Sequence, residues 1–213
     1  SKKDFVAVAP IGFTPLALIV HASHPAKTFE QYLQMAKQAK EPLTYGSWGQ
    51  GSSGQITMEA LKQKARIDLL HIPYNGTAPL IQAQLSNQVS ASIVPVLVAD
   101  QHVKAGTVRM LTVTARERLA AFPEVPIMKE MGVEIDMGPW LGFLAPAGTP
   151  TAVVDKLNAA ITASIAEPQV AEVMKKMTMV IDKMSPADYQ KFVNSEYDRW
   201  GSYIRTAKIT MDI

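Results

Sequence analysis

Short apolar runs alternate with amphipathic stretches along most of the first 114 residues of this chain. An apolar run bounded by turn residues predicts a buried strand, whereas apolar residues spaced three and four apart predict a helix. Because predicted strands and helices alternate, we expect an α/β fold with mostly parallel sheets. The predicted strands are residues 16–20, 43–47, 69–72, 89–94 and 108–114, and the helices are residues 28–40, 53–64, 77–85 and a short one ending near residue 104.

The chain changes character after residue 146, where it becomes mostly helical. Three proline residues, each just after a suitable capping position, predict helix starts at Thr149-Pro150, Glu167-Pro168 and Ser185-Pro186. The apolar stripes of these helices need a covering layer, and residues 1–15 hold no complete strand and helix unit that could provide it. We therefore predict a nearly complete lobe 2 over residues 20–138 and an incomplete lobe 1 built from residues 1–19 and 139–213.

Composition narrows the class of partner. The chain has 213 residues, 47% of them hydrophobic, and a formal net charge of +2, so nothing indicates nucleic acid or a membrane surface. A small molecule is the expected partner. The absence of cysteine excludes a disulfide framework, a thiolate zinc site and a cysteine nucleophile, and is compatible with periplasm or cytoplasm. The apolar run 15–20 is too short to span a bilayer, so we expect any export signal to have been removed.

Glycine and serine are concentrated at residues 46–54, Gly-Ser-Trp-Gly-Gln-Gly-Ser-Ser-Gly, a segment that we call the glycine loop. Its glycines let the backbone approach a ligand closely, and Ser52 and Ser53 stand where the next helix is predicted to begin. The start of a helix carries free N–H groups and a partial positive charge, so this segment predicts an anion site. On the residues alone, a simple strand-to-helix turn is the alternative.

A second motif, His71-Ile-Pro-Tyr74-Asn75-Gly76, follows at another predicted strand end. We interpret His71 as a hydrogen-bonded histidine at the strand end, with a catalytic or metal-binding role as the alternative, because no second ligand or nucleophile stands at a recognisable spacing. The sequence shows no carboxylate pair, metal-ligand cluster or phosphate-binding lysine motif. It therefore indicates no catalytic residues, no metal and no cofactor.

Five motifs in order carry a family resemblance: residues 45–52, residues 71–76, Val-Lys-Ala-Gly at 103–106, Phe-Pro-x-Val-Pro at 122–126 and Trp-Leu-Gly-Phe-Leu-Ala-Pro-Ala-Gly-Thr-Pro at 140–150. Together they resemble the substrate-binding proteins of tripartite tricarboxylate transporters, the Bug family, from about Lys3 to the C-terminus. The resemblance implies a two-lobed fold of the type II periplasmic-binding-protein kind, which closes like a flytrap. It also implies that the chain lacks the N-terminal part of lobe 1, and exposed apolar surface left by that loss would favour a dimer.

The function that the resemblance implies is capture of a small organic carboxylate in the periplasm, without chemical change, and its delivery to membrane permease subunits. The carboxylate would be a di- or tricarboxylate, or an aromatic or aliphatic acid. A carboxylate sensor that presents its ligand to a membrane receptor is the alternative. A small α/β enzyme acting on an anionic substrate is a third reading, which would require His71 in the cleft beside an acid of perturbed pKa.

The resemblance also assigns candidate ligand contacts. Backbone N–H groups near Gly51, Ser52 and Ser53 are expected to hold the carboxylate, with serine hydroxyls adding hydrogen bonds. Trp48 either stacks on the ligand or packs outward on its own helix. The expected ligand-binding residues are Ser47, Trp48, Gly49, Gly51, Ser52, Ser53, Tyr74, Asn75, Gly76, Val94 and Pro95.

One departure from the family pattern bears on specificity. The chain reads Ile-Val-Pro-Val at residues 93–96, where the family often carries an acidic or amide residue. We expect Val94 and Pro95 to form an apolar wall, against which an ammonium group would stay unpaired at a cost of about 1–3 kcal/mol. This hypothesis disfavours amino acids and favours a carboxylate with an apolar or aromatic body.

Overall fold

The computed structural model describes residues 3–136 and 138–210, which form seven strands, seven α-helices and one 3₁₀ helix. The predicted α/β class is confirmed, and most predicted elements lie within two residues of the observed ones. The strands are β1 (Phe5–Phe13), β2 (Leu16–His21), β3 (Leu43–Ser47), β4 (Leu69–Pro73), β5 (Ala91–Pro95), β6 (Val108–Val113) and β7 (Trp140–Pro146). The helices are α1 (Phe29–Gln38), α2 (Ser53–Ala65), α3 (Thr77–Leu85), α4 (Val96–Lys104), α5 (Thr151–Ala166), α6 (Pro168–Lys176) and α7 (Pro186–Thr206), with the 3₁₀ helix at Met128–Met131.

The larger sheet has five strands in the order β4-β3-β5-β2-β6. β3 pairs in parallel with β4 and β5, as the alternation of strands and helices predicts. β2 runs antiparallel to both β5 and β6, so the sheet is mixed and the prediction of mostly parallel sheets needs this correction. The apolar run of β2 shows that the strand is buried on both faces, but periodicity carries no information on the direction in which a strand runs.

The smaller sheet pairs β1 with β7 antiparallel. The sequence predicts no strand at β1, which contains Pro10 and Gly12. The structure places these residues at register shifts, between Ala7 and Ala9 and between Pro10 and Gly12, where an irregular strand tolerates proline and glycine.

The chain divides into two compact units, one formed by the residues up to Thr14 with Pro139–Ser202, the other by Pro15–Gly138 with the residues from Tyr203 onward. The first boundary therefore lies five residues before the predicted one, because β2 belongs wholly to the five-stranded sheet. That these units correspond to lobe 1 and lobe 2 stays a prediction.

The unit that contains β1 and β7 carries many exposed apolar side chains. On α5, Val154 is buried, but Val153 is 45% exposed and Leu157 42% exposed, so the predicted stripe of this helix is only partly covered. Phe5, Leu141 and Phe143 on the two strands are also about half exposed. These exposures agree with the expectation that the helices lack a covering layer, and the expected dimer stays a prediction.

Local capping explains several helix starts. Thr28 caps α1 by accepting a hydrogen bond from the Gln31 N–H, and Gln31 Oε1 accepts at 2.6 Å from the N–H of Lys27, one residue before the position that a capping box uses. Ser185 accepts from the Asp188 N–H before α7. Thr149 does not cap α5: its hydroxyl donates to Pro146 O instead.

His24 makes folding pH-dependent. It is buried, and its Nδ1 accepts a hydrogen bond from the Ala26 N–H, which requires an unprotonated nitrogen. Burial lowers the pKa of His24 below its ordinary value of 6.5, and Lys27 and Arg109 act in the same direction. His24 therefore binds a proton more readily in the unfolded chain than in the folded one. Its contribution to the free energy of unfolding is complete above pH 6.5 and is lost as the pH falls below that value.

We expect His24→Gln to flatten the pH dependence of the free energy of unfolding below pH 6.5. One histidine contributes a slope of at most about 1.4 kcal/mol per pH unit. Urea unfolding at pH 5, 6 and 7.5 measures the slope in the parent chain and the variant. His102→Gln, on α4, is the matched control, and an unchanged slope in His24→Gln would contradict the prediction.

Candidate functional site

Three helices begin at one edge of the five-stranded sheet. β4, β3 and β5 are neighbours and run in the same direction, so their carboxyl ends meet at this edge. The glycine loop joins β3 to α2, residues 74–76 join β4 to α3, and β5 leads directly into α4. Ligands of open α/β sheets bind outside the carboxyl ends of the strands, where helix N-termini supply N–H groups and partial positive charge.

None of these three helices carries an acidic residue in its first turn. Many helices place Asp or Glu there, because a carboxylate stabilises the N-terminal end of the helix dipole. Only α2 has a side-chain cap, from Ser52, whereas α3 begins after Gly76 and α4 after Pro95 without one. The edge therefore keeps its positive potential, as an anion site requires. The starts of α2 and α3 keep unsatisfied N–H groups, whereas the first N–H of α4, that of Val96, donates to Pro15 O at 3.0 Å.

Hydrogen bonds inside the glycine loop hold it in one shape. Ser52 accepts from the Gln55 N–H, while Gln55 Oε1 accepts from the Gly51 N–H at 2.6 Å. The Ser52 N–H donates to Gly49 O at 3.2 Å. Gly51 has a φ of 69°, which glycine adopts without strain. Two of the N–H groups expected to hold a carboxylate, those of Gly51 and Ser52, are thus used within the loop.

The first turn of α2 supplies the remaining donors of this loop. The N–H groups of Ser53 and Gly54 lie where the helix itself offers no acceptor. The Ser53 side chain is half-buried and makes no cap, so its hydroxyl is also available. Ser53 therefore fits the predicted role better than Gly51 or Ser52 does.

Ser47 does not fit the predicted direct contact. The residue is 0% exposed, and its Oγ lies 2.7 Å from His71 Nε2, 3.0 Å from Gly49 O and 3.3 Å from both Gly49 N and Ser52 Oγ. A hydroxyl with four polar neighbours has no capacity left for a ligand. The predicted role of Ser47 is therefore corrected: its hydroxyl supports the glycine loop and does not contact the ligand.

His71 is the hydrogen-bonded histidine that the sequence predicts. Its ring stacks on Tyr45 with the centroids 4.8 Å apart, and the Tyr45 hydroxyl donates to Glu59 Oε1 at 2.8 Å. Burial lowers the pKa of His71, an effect that Glu59 partly opposes and Lys62 reinforces. The carboxylate of Glu59 is paired with Lys62 at 3.1 Å. The enzyme reading needs His71 in the cleft, whereas the structure holds its Nε2 2.7 Å from the buried hydroxyl of Ser47.

Trp48 packs inward over the start of α2. A Cβ atom on Gly54 would lie 2.6 Å from Cζ3 and 2.8 Å from Cη2 of the indole. The indole also packs against the buried apolar cluster of this unit and stays half-buried. The alternative that Trp48 packs outward is therefore wrong, while stacking on a ligand stays a prediction.

The second motif is tied to the glycine loop by backbone hydrogen bonds. The Tyr74 N–H donates to Ser47 O at 2.9 Å, and the Gly76 N–H donates to Trp48 O at 3.2 Å. Gly76 has a φ of 105°, and Asn75 is exposed beside it. The structure thus brings together the two segments that the sequence singled out, residues 46–54 and residues 71–76.

Val94 needs a correction. It is 0% exposed and belongs to the buried cluster with Ala17 and Val96, so it cannot line a cleft. Both faces of β5 are covered, and an apolar residue near the end of such a strand is buried whichever face it points to. Pro95 is partly exposed at the start of α4 and stays a candidate.

Sequence reasoning missed Gln55 and the particular role of Gly54 within the glycine loop. Gln55 holds the Gly51 N–H, and Gly54 leaves the space that the Trp48 indole fills. The signal for Gln55 was present, because Ser52-x-x-Gln55 repeats the capping-box spacing used for Thr28 and Gln31. Gly54 carries no comparable signal, since its close contact depends on the tertiary structure. Over residues 3–136 and 138–210, no cluster of three His, Asp or Glu side chains could hold a metal ion.

A family model described as "Tripartite tricarboxylate transporter family receptor" matches residues 1–209. The chain belongs to this family. The resemblance drawn from the five motifs is therefore confirmed. A UPF0065 protein from the tcbD-tcbE intergenic region of Pseudomonas sp. (strain P51) is 33% identical over 208 residues, which are 96% of this chain and 61% of that protein. The chain thus spans less than two thirds of the length of this relative.

Solved structures of similar proteins share the fold. A TctC solute-binding protein from Polaromonas, without ligand, has a TM-score of 0.86 at 25% identity, covering 97% of this chain and 71% of that one. Rpa4515 of R. palustris with adipate has a TM-score of 0.82 at 28% identity, covering 98% and 70%. MatC from Rhodopseudomonas palustris with bound malate has a TM-score of 0.76 at 26% identity, covering 95% and 70%.

The matched family and its structurally characterised members are solute-binding proteins and not enzymes. Two of the solved relatives hold small dicarboxylates, adipate in one and malate in the other. Within the described part of this receptor-family chain, no helix is both long and apolar enough to cross a membrane.

Proposed function

We propose that this chain forms the carboxylate-binding part of a periplasmic solute-binding protein, which captures a small organic acid and delivers it to the permease subunits of a tripartite tricarboxylate-type transporter. The observation that carries the proposal is the set of three neighbouring helix N-termini without an acidic residue in any first turn. Adipate and malate in two solved relatives support a carboxylate as the ligand class.

The carboxylate would be bound without a formal cation. The N–H groups of Ser53 and Gly54 and the Ser53 hydroxyl would donate to one oxygen, and Asn75 or the first N–H groups of α3 to the other. Each hydrogen bond to a charged group contributes about 1.5–3 kcal/mol, and each helix N-terminus adds about 0.3–1 kcal/mol. Several such bonds are needed, because the carboxylate gives up its hydration on binding.

The proposed site discriminates against amino acids. An α-ammonium group needs an acceptor, but the first turns of α2, α3 and α4 offer no carboxylate. Partly exposed Pro95 presents an apolar surface in place of an acceptor. An acid with an apolar body therefore fits this edge better than aspartate or glutamate, which would lose about 1–3 kcal/mol for the unpaired group.

Isothermal titration calorimetry with adipate, malate, aspartate and glutamate tests the proposal. We expect binding of the first two and at least tenfold weaker binding of the amino acids, which corresponds to about 1.4 kcal/mol. Ser53→Asp should weaken adipate binding by about tenfold, because it places a negative charge where the ligand oxygen would lie. It should leave the helix as stable or more stable, since an acid at a helix start is favourable.

Ser53→Asn is the matched control, because asparagine has nearly the same shape as aspartate but no charge. This variant should bind adipate within about threefold of the parent, a difference below 1 kcal/mol. If Ser53→Asn and Ser53→Asp weaken adipate binding equally, the shape of the side chain and not its charge decides the affinity. That result would contradict the anion site. Tight binding of glutamate with no binding of adipate or malate would contradict the proposed ligand class.

A further inference from the structure

His71 contacts the glycine loop from beneath, on the side where Ser47 is buried. Its Nε2 lies 2.7 Å from Ser47 Oγ, which in turn lies 3.3 Å from Ser52 Oγ and 3.3 Å from Gly49 N. Ser52 caps α2 and Gly49 belongs to the turn of the loop. His71 is therefore two hydrogen bonds away from Gly49 and Ser52, which shape the loop leading into the start of α2, where the carboxylate would bind.

The Ser47 hydroxyl has one proton to donate and two lone pairs to accept with. In the neutral tautomer with its proton on Nδ1, Nε2 of His71 accepts from the Ser47 hydroxyl, which in turn accepts from the Gly49 N–H and the Ser52 hydroxyl, so every group is satisfied. When Nε2 is protonated, it must donate to Ser47 as well. Three donors then compete for two lone pairs, while the Ser47 proton turns to Gly49 O at 3.0 Å.

The donor released in this competition belongs to the loop. It is either the Gly49 N–H or the Ser52 hydroxyl, both of which make the longer 3.3 Å contacts to Ser47. A released donor can turn toward a ligand anion, and the imidazolium adds a positive charge close to it. Both effects favour carboxylate binding when His71 is protonated.

The charged and titratable groups around His71 set the pH at which this happens. Tyr45 of β3 stacks on the ring, and Glu59 and Lys62 of α2 act on it with opposite charges. Burial is the largest influence and lowers the pKa of His71 below 6.5. His71 is therefore mostly neutral at pH 7 and gains its proton below pH 6.5.

We propose that His71 is a positioning residue of the carboxylate site, whose protonation releases a hydrogen-bond donor of the glycine loop through Ser47 and so strengthens carboxylate binding. The ligand part of this inference rests on the proposed function. Thermodynamic linkage requires the reverse effect as well, so a bound carboxylate should raise the pKa of His71 by the equivalent amount.

The coupling can be measured without a ligand, because Trp48 lies in the loop. In protein labelled with 5-fluorotryptophan, the ¹⁹F resonance of Trp48, assigned by its loss in Trp48→Phe, should shift between pH 7.5 and 5 with a single midpoint below 6.5. His71→Gln keeps a polar group within reach of Ser47 but does not titrate, so it should abolish this shift. Trp140 and Trp200 provide internal controls for folding, and His102→Gln is the matched control for loss of a histidine elsewhere.

Adipate is the probe for the ligand part. As the pH falls from 7.5 to 5, its affinity in the parent and in His102→Gln should rise about fivefold relative to His71→Gln, a typical coupling between two sites. The His71→Gln variant accounts for the protonation of adipate itself. If adipate binds but the Trp48 resonance and the affinity keep the same pH dependence in His71→Gln, the inference is overturned and the proposed function stands. If the resonance follows His71 but no carboxylate binds at either pH, the proposed function fails and the role of His71 in the loop stands.

Discussion

Replacing Gly142 by alanine is expected to lower the free energy of unfolding by about 3 kcal/mol, the upper end of the usual cost of overpacking. The added Cβ would overlap Tyr189 Oη and would lie 2.6 Å from Tyr189 Cζ and 2.9 Å from Ala9 O. Ala9 O is backbone of the neighbouring strand β1 and cannot move without breaking the pairing of β1 with β7. Urea unfolding of the parent chain and the variant measures the loss.

Tyr189 cannot turn away to relieve this overlap. It is 0% exposed and packs against Phe192 and Trp140, with ring centroids 6.1 Å away in each case. Its hydroxyl has no hydrogen-bond partner within the described residues, and burial raises its pKa to about 12. Tyr189→Phe alone should therefore be neutral or slightly stabilising, because it removes an unsatisfied buried polar group.

The combination of Gly142→Ala with Tyr189→Phe separates the two sources of the cost. It should recover part of the loss, since Oη is gone while Cζ and Ala9 O remain too close. Gly132→Ala is the control: at φ 75° with no atom within 4 Å, it should cost only about 1–2 kcal/mol of backbone strain. A loss in Gly142→Ala no larger than in Gly132→Ala would contradict the prediction.

Gly54→Ala is expected to weaken adipate binding by between ten- and hundredfold, a loss of about 1.4–2.7 kcal/mol. Helix propensity alone predicts a more stable helix in this variant, because alanine stabilises a helix by up to about 1 kcal/mol relative to glycine. The new Cβ would meet Trp48 at 2.6 Å and Ile93 Cγ2 at 3.0 Å. The indole must move, and the glycine loop that carries it must move too, which costs about 1–3 kcal/mol and exceeds the gain in propensity.

A double-mutant cycle with Trp48→Phe checks this explanation. The smaller ring leaves space for the alanine, so Gly54→Ala should cost much less affinity in the Trp48→Phe background than in the parent. Calorimetry with adipate gives the four affinities, and urea unfolding gives the accompanying stabilities. An equal loss in both backgrounds would contradict displacement of the indole as the cause.

Most of the secondary structure follows from local sequence patterns. The strand at β3 and the helix α3 have the predicted bounds, because apolar spacing reflects which side chains are buried. The starts of α1 and α7 follow from Thr28 and Ser185, whose hydroxyls bond N–H groups three residues ahead. These interactions span only a few residues, so they can be predicted from a single sequence.

The two segments of the candidate site were also predictable, since glycine and serine between a strand and a helix indicate a close approach to an anion. Which groups face the ligand was not predictable. Ser47 and Ser53 are both serines of the same loop, yet one is buried beneath it beside His71 and the other stands at the open start of α2. The hydrogen bonds that decide this join β3 to β4, and the register of two strands cannot be deduced from either strand alone.

The sequence by itself thus determined the α/β class, the bounds of most elements, the family and the two segments of the candidate site. The tertiary structure decided the antiparallel direction of β2, the burial of Val94, the space above Gly54 that Trp48 fills and the contact between His71 and Ser47. The physical reason is the range of the interactions. Capping and periodic burial act between neighbours in the chain, whereas strand direction and close packing depend on residues that are distant in sequence and meet only in the folded protein.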